Sequence, residues 1–110
     1  MSVYMYQAVY SKESISNLVK SPQDRTKAVN AVVEANGGTL IGCWMAFGEY
    51  DLVVIAEMPS DEAMAGVVLA VNAVGTASGG KTTKLLKMEQ AVKAMTSAQG
   101  VVNNYKPPST

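Results

Sequence analysis

The run GTASGGKT, Gly75 to Thr82, has the spacing G-x-x-x-x-G-K-[ST] of a phosphate-binding loop. In such a loop backbone N–H groups wrap the phosphates, while the lysine and the following hydroxyl reach the terminal phosphate and Mg²⁺. The motif needs a strand before it and a helix after it. Local sequence allows this, with VVLAV as strand and TKLLKMEQAVKAM as helix. The stretch after Thr82 is too short for the further parallel strands and acidic metal-binding strand of a nucleotide hydrolase. The expectation is therefore a flexible glycine loop between a helix and a strand. Gly79, Gly80, Lys81 and Thr82 are kept as candidates for simple anion binding.

A second constellation is FGEYDLVVIAE, Phe47 to Glu57, in which four turn residues divide two apolar runs. Two readings are open. In the structural one, Gly48 takes a positive φ angle, Asp51 accepts backbone hydrogen bonds across the turn, and the Tyr50 ring packs beside the strand ends. In the functional one, Tyr50 and Asp51 point into a cleft. There a desolvated carboxylate acts as a base and a tyrosine hydroxyl as a donor. Tyr4, Tyr6, Trp44 and Glu49 are the candidates for lining such a ligand pocket. The plainer alternative is that these aromatics and the seven methionines fill core and interface.

Composition removes several chemistries. The chain contains no histidine, so no imidazole serves as base, haem ligand or zinc ligand. Its one cysteine, Cys43, lies within an apolar run and is expected to be a small buried hydrophobe. No metal site or cofactor is expected. Nine Lys and Arg balance nine Asp and Glu, without the basic excess that phosphate neutralisation requires, so nucleic acid is not an expected partner. A single thiol gives no internal disulfide, and the opening MSVYMYQAVYS lacks the basic and long apolar parts of a signal peptide. The expected location is cytoplasmic, without membrane attachment.

The elements that would position these residues read as follows. Val3 to Tyr10 is a strand with Tyr4, Tyr6, Ala8 and Tyr10 on one face. SKESISNLVKS is a polar connector with at most a turn of helix around Ile15 and Leu18. A helix starts at SPQD, with Ser21 as N-cap and Pro22 at its first position, and runs to Asn36, where Gly37-Gly38 end it. Thr39 to Phe47 and Leu52 to Glu57 form a hairpin around GEYD. Ser60 caps a helix over Asp61 to Val74. Thr82 to Met88 is a fourth strand and Glu89 to Ala98 a short last helix, followed by a tail over residues 101–110. The order βαββαβ plus a terminal helix is that of a ferredoxin-like α+β fold, one antiparallel sheet with helices on one face.

Such a sheet should alternate apolar and polar residues. LIGCWMAF and LVVIA do not, so something must cover the second face. A second copy of the chain is the simplest cover, making the protein its own expected partner. The helix AMAGVVLAVNAV is apolar nearly all round, too short for a membrane span, and expected to be buried on two sides.

These residues resemble the GYD domain family. Gly48, Tyr50 and Asp51 stand at its eponymous positions, Glu57 and Pro59 match the Glu-x-Pro closing the strand, and the similarity covers roughly residues 3 to 95 within a domain spanning 1–100. The segment TASGGKTT is more glycine-rich than the family pattern. The resemblance implies a dimeric α/β barrel, in which two ferredoxin-like sheets face each other, and does not imply a reaction. Three functions compete. The first is an oligomeric module binding a small apolar or aromatic ligand or a protein, without catalysis. The second is a cofactor-independent isomerase or monooxygenase using Tyr50 and Asp51. The third is a phosphate or nucleotide sensor using the Gly79 to Thr82 loop.

Overall fold

A computed structural model describes residues 1–109. β1 (Ser2–Tyr10) is followed by α1 (Lys12–Lys20) and α2 (Thr26–Ala35), then β2 (Thr39–Met45), β3 (Leu52–Met58), α3 (Asp61–Ala73), β4 (Ala77–Leu85) and α4 (Met88–Val102). The sheet is four-stranded and wholly antiparallel between neighbours, in the order β2-β3-β1-β4. This is the ferredoxin-like arrangement expected from the sequence. β1 lies between the two strands that follow later in the chain, so its side chains reach most of the sheet.

Three boundaries differ from the sequence reading, each for a local reason. The connector after β1 is a full helix, α1. Ser11 accepts the Ser14 N–H at 3.1 Å as N-cap, Glu13 lies in the first turn and Lys20 in the last. Ser21 closes α1 as its C-cap instead of opening α2. Pro22 thus follows a helix end, a position where it is equally at home. Asp24 supplies the turn into α2 by accepting from the Thr26 N–H at 2.9 Å and the Thr26 hydroxyl at 2.6 Å. These bonds hold its carboxyl below the usual range.

The second correction is TASGGKTT, which is strand and not loop. Gly79 pairs with Val9, Gly80 with Ala8, Lys81 with Gln7 and Thr82 with Tyr6. Glycine suits this strand because the Tyr6 ring lies across it. A Cβ at Gly80 would stand 2.9 Å from Tyr6 Cε1 and 2.5 Å from the Gln7 carbonyl oxygen. Third, α4 runs on to Val102, so the tail begins later than residue 101.

The two faces of the sheet have different company. Tyr4, Tyr6 and Ala8 of β1 and Leu52, Val54, Ala56 and Met58 of β3 are buried beneath α2 and α3, which contribute Val33, Met64 and Val67. The other face is covered by no element of the described residues. There the register brings together Val3, Met5 and Val9, Val53 and Ile55, and Trp44, with Gln7, Lys81 and Glu57 among them. Trp44 folds its ring over Gly42 and stays 53 % exposed. α4 also lacks cover. Met88, Val92, Met95 and Val102 follow a four-three spacing and are all exposed. The helix extends the molecule to a radius of gyration of 17.8 Å, against about 13 Å for a compact domain of this size.

α3 is only partly as expected. Met64 and Val67 are buried, whereas Leu69 and the capping residue Val74 are exposed.

Candidate functional site

The site candidates named from sequence fall in five places. Tyr6 lies at the centre of the helix-covered face and lines a cavity of about 290 Å³ between α2, α3 and the sheet. Its walls are apolar, chiefly Val29, Val33, Leu52, Val54, Met64 and Val67. The cavity exists because two helices cover four strands and meet through valine and alanine side chains too short to fill the space between them. The Tyr6 hydroxyl is fully buried and has no hydrogen-bond partner. Burial pushes its pKa up, so the phenol is a neutral donor with nothing to donate to.

Tyr10, Arg25 and Thr76 form the polar end of this cavity and also line the adjoining hollow beneath α1. Burial raises the Tyr10 pKa, a rise that the positive Arg25 only partly offsets. Arg25 donates to Gln23 Oε1 at 3.0 Å and makes no ion pair among the described residues. The neighbouring carboxylates are otherwise engaged: Asp24 by Thr26, and Asp51 by the Tyr10 N–H.

Tyr4 belongs to a second hollow, between α3 and β4, lined also by Met64, Val68, Leu69 and Thr82. Its hydroxyl donates to Asp61, which also pairs with Lys84 Nζ at 2.9 Å. Lys84 stands 5.8 Å from the Tyr4 ring centroid, within cation–π range. The hydrogen bond to Asp61 raises the Tyr4 pKa, and the same bond, with Lys84, lowers that of Asp61. Asp61 raises Lys84 in turn. Each shift moves its group away from neutrality. The cluster is an ion pair with a phenol donor, poised for holding a shape and not for exchanging protons at pH 7.

Trp44 lies on the opposite, uncovered face. Glu49 is exposed in the hairpin loop, and half-buried Tyr50 lines none of these hollows. Asp51 fastens the hairpin to β1: its carboxylate accepts the Tyr10 N–H at 2.9 Å and its own N–H donates to the Ala8 carbonyl at 2.9 Å. The carboxylate thus serves the neighbouring strand, while across the turn it is the Asp51 backbone carbonyl that accepts, from the Ala46 N–H at 2.8 Å. Gly48 does not take a positive φ; only Gly37 and Gly75 do.

The phosphate-loop candidates form no cradle. In a strand Gly79 and Lys81 face one side and Gly80 and Thr82 the other, so their N–H groups do not converge on an anion. Among the described residues no group of three or more Cys, Asp or Glu gathers as metal ligands. In the same residues no helix is long and apolar enough to cross a membrane.

The decisive comparison is with protein families: residues 4–95 match the GYD domain. The chain belongs to the GYD domain family. The match contains the sheet from Tyr4 onward, α1 to α3 and the start of α4, so every hollow described above lies within the GYD domain. Comparison with curated proteins gives no match. Among solved structures, one described as the crystal structure of FFRP-DM1 is similar over 78 % of this chain and 100 % of that chain, at 14 % identity and a TM-score of 0.49.

Sequence reasoning named Tyr6 but missed Tyr10 and Arg25 at the cavity's polar end, and Asp61 and Lys84 beside Tyr4. Tyr10 carried a signal, since it shares a strand face with Tyr4 and Tyr6. Arg25 carried none, because its neighbourhood depends on where α2 begins.

Proposed function

We propose that this GYD domain is a self-associating module that binds a small, largely apolar ligand without transforming it. The observation that carries the reading is the apolar cavity of about 290 Å³, lined by the helix-covered face of the sheet and by α2 and α3, with Tyr10, Arg25 and Thr76 at its polar end. Small-molecule sites are concave and apolar with a few placed polar groups, and this volume lies at the lower edge of their range. The Tyr4, Asp61 and Lys84 groups of the second hollow have pKa values shifted away from pH 7, which favours a structural role there over acid–base catalysis.

Self-association is supported by the uncovered face carrying Val3, Met5, Val53, Ile55 and Trp44, and by the outward α4. Pairing of two such faces, as in a dimeric α/β barrel, would remove about 800 Å² or more per subunit. The single half-buried cysteine fits a reducing compartment, and we place the protein in the cytoplasm.

The test has two arms. Thermal shifts against apolar and aromatic metabolites, with nucleotides and inorganic phosphate as contrast, should show stabilisation by the first group alone. Stabilisation by nucleotides alone would overturn the ligand reading. Sedimentation should show a dimer or larger species at micromolar concentration, dissociated by Trp44→Glu and weakened by truncation after Lys87. A stable monomer would refute the assembly.

A further inference from the structure

The cavity has chemistry at only one end, and that end is cationic. Tyr10, Arg25 and Thr76 are its half-buried polar boundary, and Tyr6 is a polar group within its wall. Everything else that lines it is aliphatic or sulfur-containing. The guanidinium makes no ion pair among the described residues and donates to the Gln23 side chain, which leaves most of the five donors of its planar fork for a ligand or for water.

We infer that the cavity takes an anionic amphiphile: a short alkyl or single-ring aryl carboxylate, its apolar body between Val29, Val33, Met64 and Val67 and its carboxylate at the Arg25 end. The carboxylate accepts from the Arg25 fork and the Tyr10 hydroxyl, both at the boundary the two hollows share. A carboxylate fits better than a phosphate monoester. Only one cation lines the cavity, and the doubly charged group would have to be desolvated against that single charge. This inference rests on the ligand-binding reading above and narrows it to one chemical class.

Isothermal titration of the full chain with octanoate, phenylacetate, octanol, phenylethanol and octylammonium separates the two levels. Octanoate and phenylacetate are expected to bind at least tenfold more tightly than the matching alcohols, and octylammonium not at all. Arg25→Gln should abolish that preference while leaving the alcohols unchanged. Tyr10→Phe should reduce it severalfold. Equal binding of acids and alcohols, or a preference that survives Arg25→Gln, would overturn the carboxylate class while leaving an apolar site in place. Absence of binding by every probe, with the variants folded by circular dichroism, would overturn both.

Discussion

Asp51→Ala tests what the GYD hairpin does for the fold. The carboxylate makes one bond that matters, accepting the Tyr10 N–H at 2.9 Å. The backbone of Asp51 makes two others, to Ala8 and Ala46, and those survive the substitution. Alanine therefore removes a single charge-assisted bond and leaves the N–H of half-buried Tyr10 without a partner, at the point where the β1–β4 register shifts. A stranded donor of this kind costs roughly 1–3 kcal/mol. For a domain of this size each 1 kcal/mol moves Tm by roughly 4–8 °C. Asp51→Asn keeps an acceptor oxygen in place and should restore about half the loss. Urea melts at two protein concentrations give the stability free of any contribution from self-association. A cost for Asp51→Ala below about 0.5 kcal/mol would mean that water serves Tyr10 equally well. An Asp51→Asn protein more stable than the native one would mean that the carboxylate is held against strain, as catalytic groups are, and the hairpin would have to be reread as a reactive site.

Tyr6→Phe should stabilise the ligand-free protein by about 1 kcal/mol, since the ring stays and an unsatisfied buried hydroxyl goes; destabilisation in a urea melt would show that the hydroxyl has a partner after all. The Tyr4–Asp61–Lys84 cluster should make stability depend on pH at both extremes. Asp61 has a lowered folded pKa, so its contribution is full above the unfolded carboxylate value near 4 and is lost as pH falls through the folded one. Tyr4 and Lys84 have raised folded values, so theirs are full below the unfolded values near 10 and lost as pH rises further. Asp61→Asn should flatten the acid limb of a Tm-against-pH curve, and an unchanged limb would refute the assignment. Gly48→Ala should leave the monomer's melting unchanged, because Gly48 has no positive φ and a Cβ there meets nothing within 4 Å; a loss of more than about 1 kcal/mol at low protein concentration would contradict the observed loop geometry.

The fold was readable because its signals are redundant. β1 announces itself by period-two tyrosines, α3 by Ser60 and two acidic residues in its first turn, and the helix exit by Gly37-Gly38. Where two signals competed, the local one misled. SPQD has the composition of a helix start, yet Ser21 ends α1 and Pro22 sits in the linker. Nothing within those four residues distinguishes the two uses of serine and proline. The deciding information lies ten residues upstream, in the Ser11 cap and the Ile15, Leu18 and Val19 spacing. TASGGKTT misled in the opposite way. Its glycines deny it any strand propensity, and the reason they are tolerated is the Tyr6 ring lying across Gly80, a contact between distant parts of the chain.

The site was less legible, and for a related reason. Chemistry was sought where polar residues cluster in sequence, at GEYD and GGKT, and the sheet spends the first on fastening β1 and the second on pairing with it. The open polar capacity lies instead in residues that sequence makes ordinary: one tyrosine hydroxyl among three on a strand, and one arginine in a linker. What distinguishes them is unmet hydrogen-bonding capacity, a property of the assembled core and not of any segment. The same logic extends to the uncovered face. Val53 and Ile55 alternate with Val54 and Ala56 so that β3 is apolar on both sides, and a chain that supplies helices for only one side has apolar surface left for a second copy. On the proposed reading the ligand cavity and the assembly surface occupy opposite faces of one sheet, with β1 and β3 common to both. Any coupling between the two would be reciprocal, so a change in dimer affinity on adding octanoate would equal the change in octanoate affinity on dimerisation.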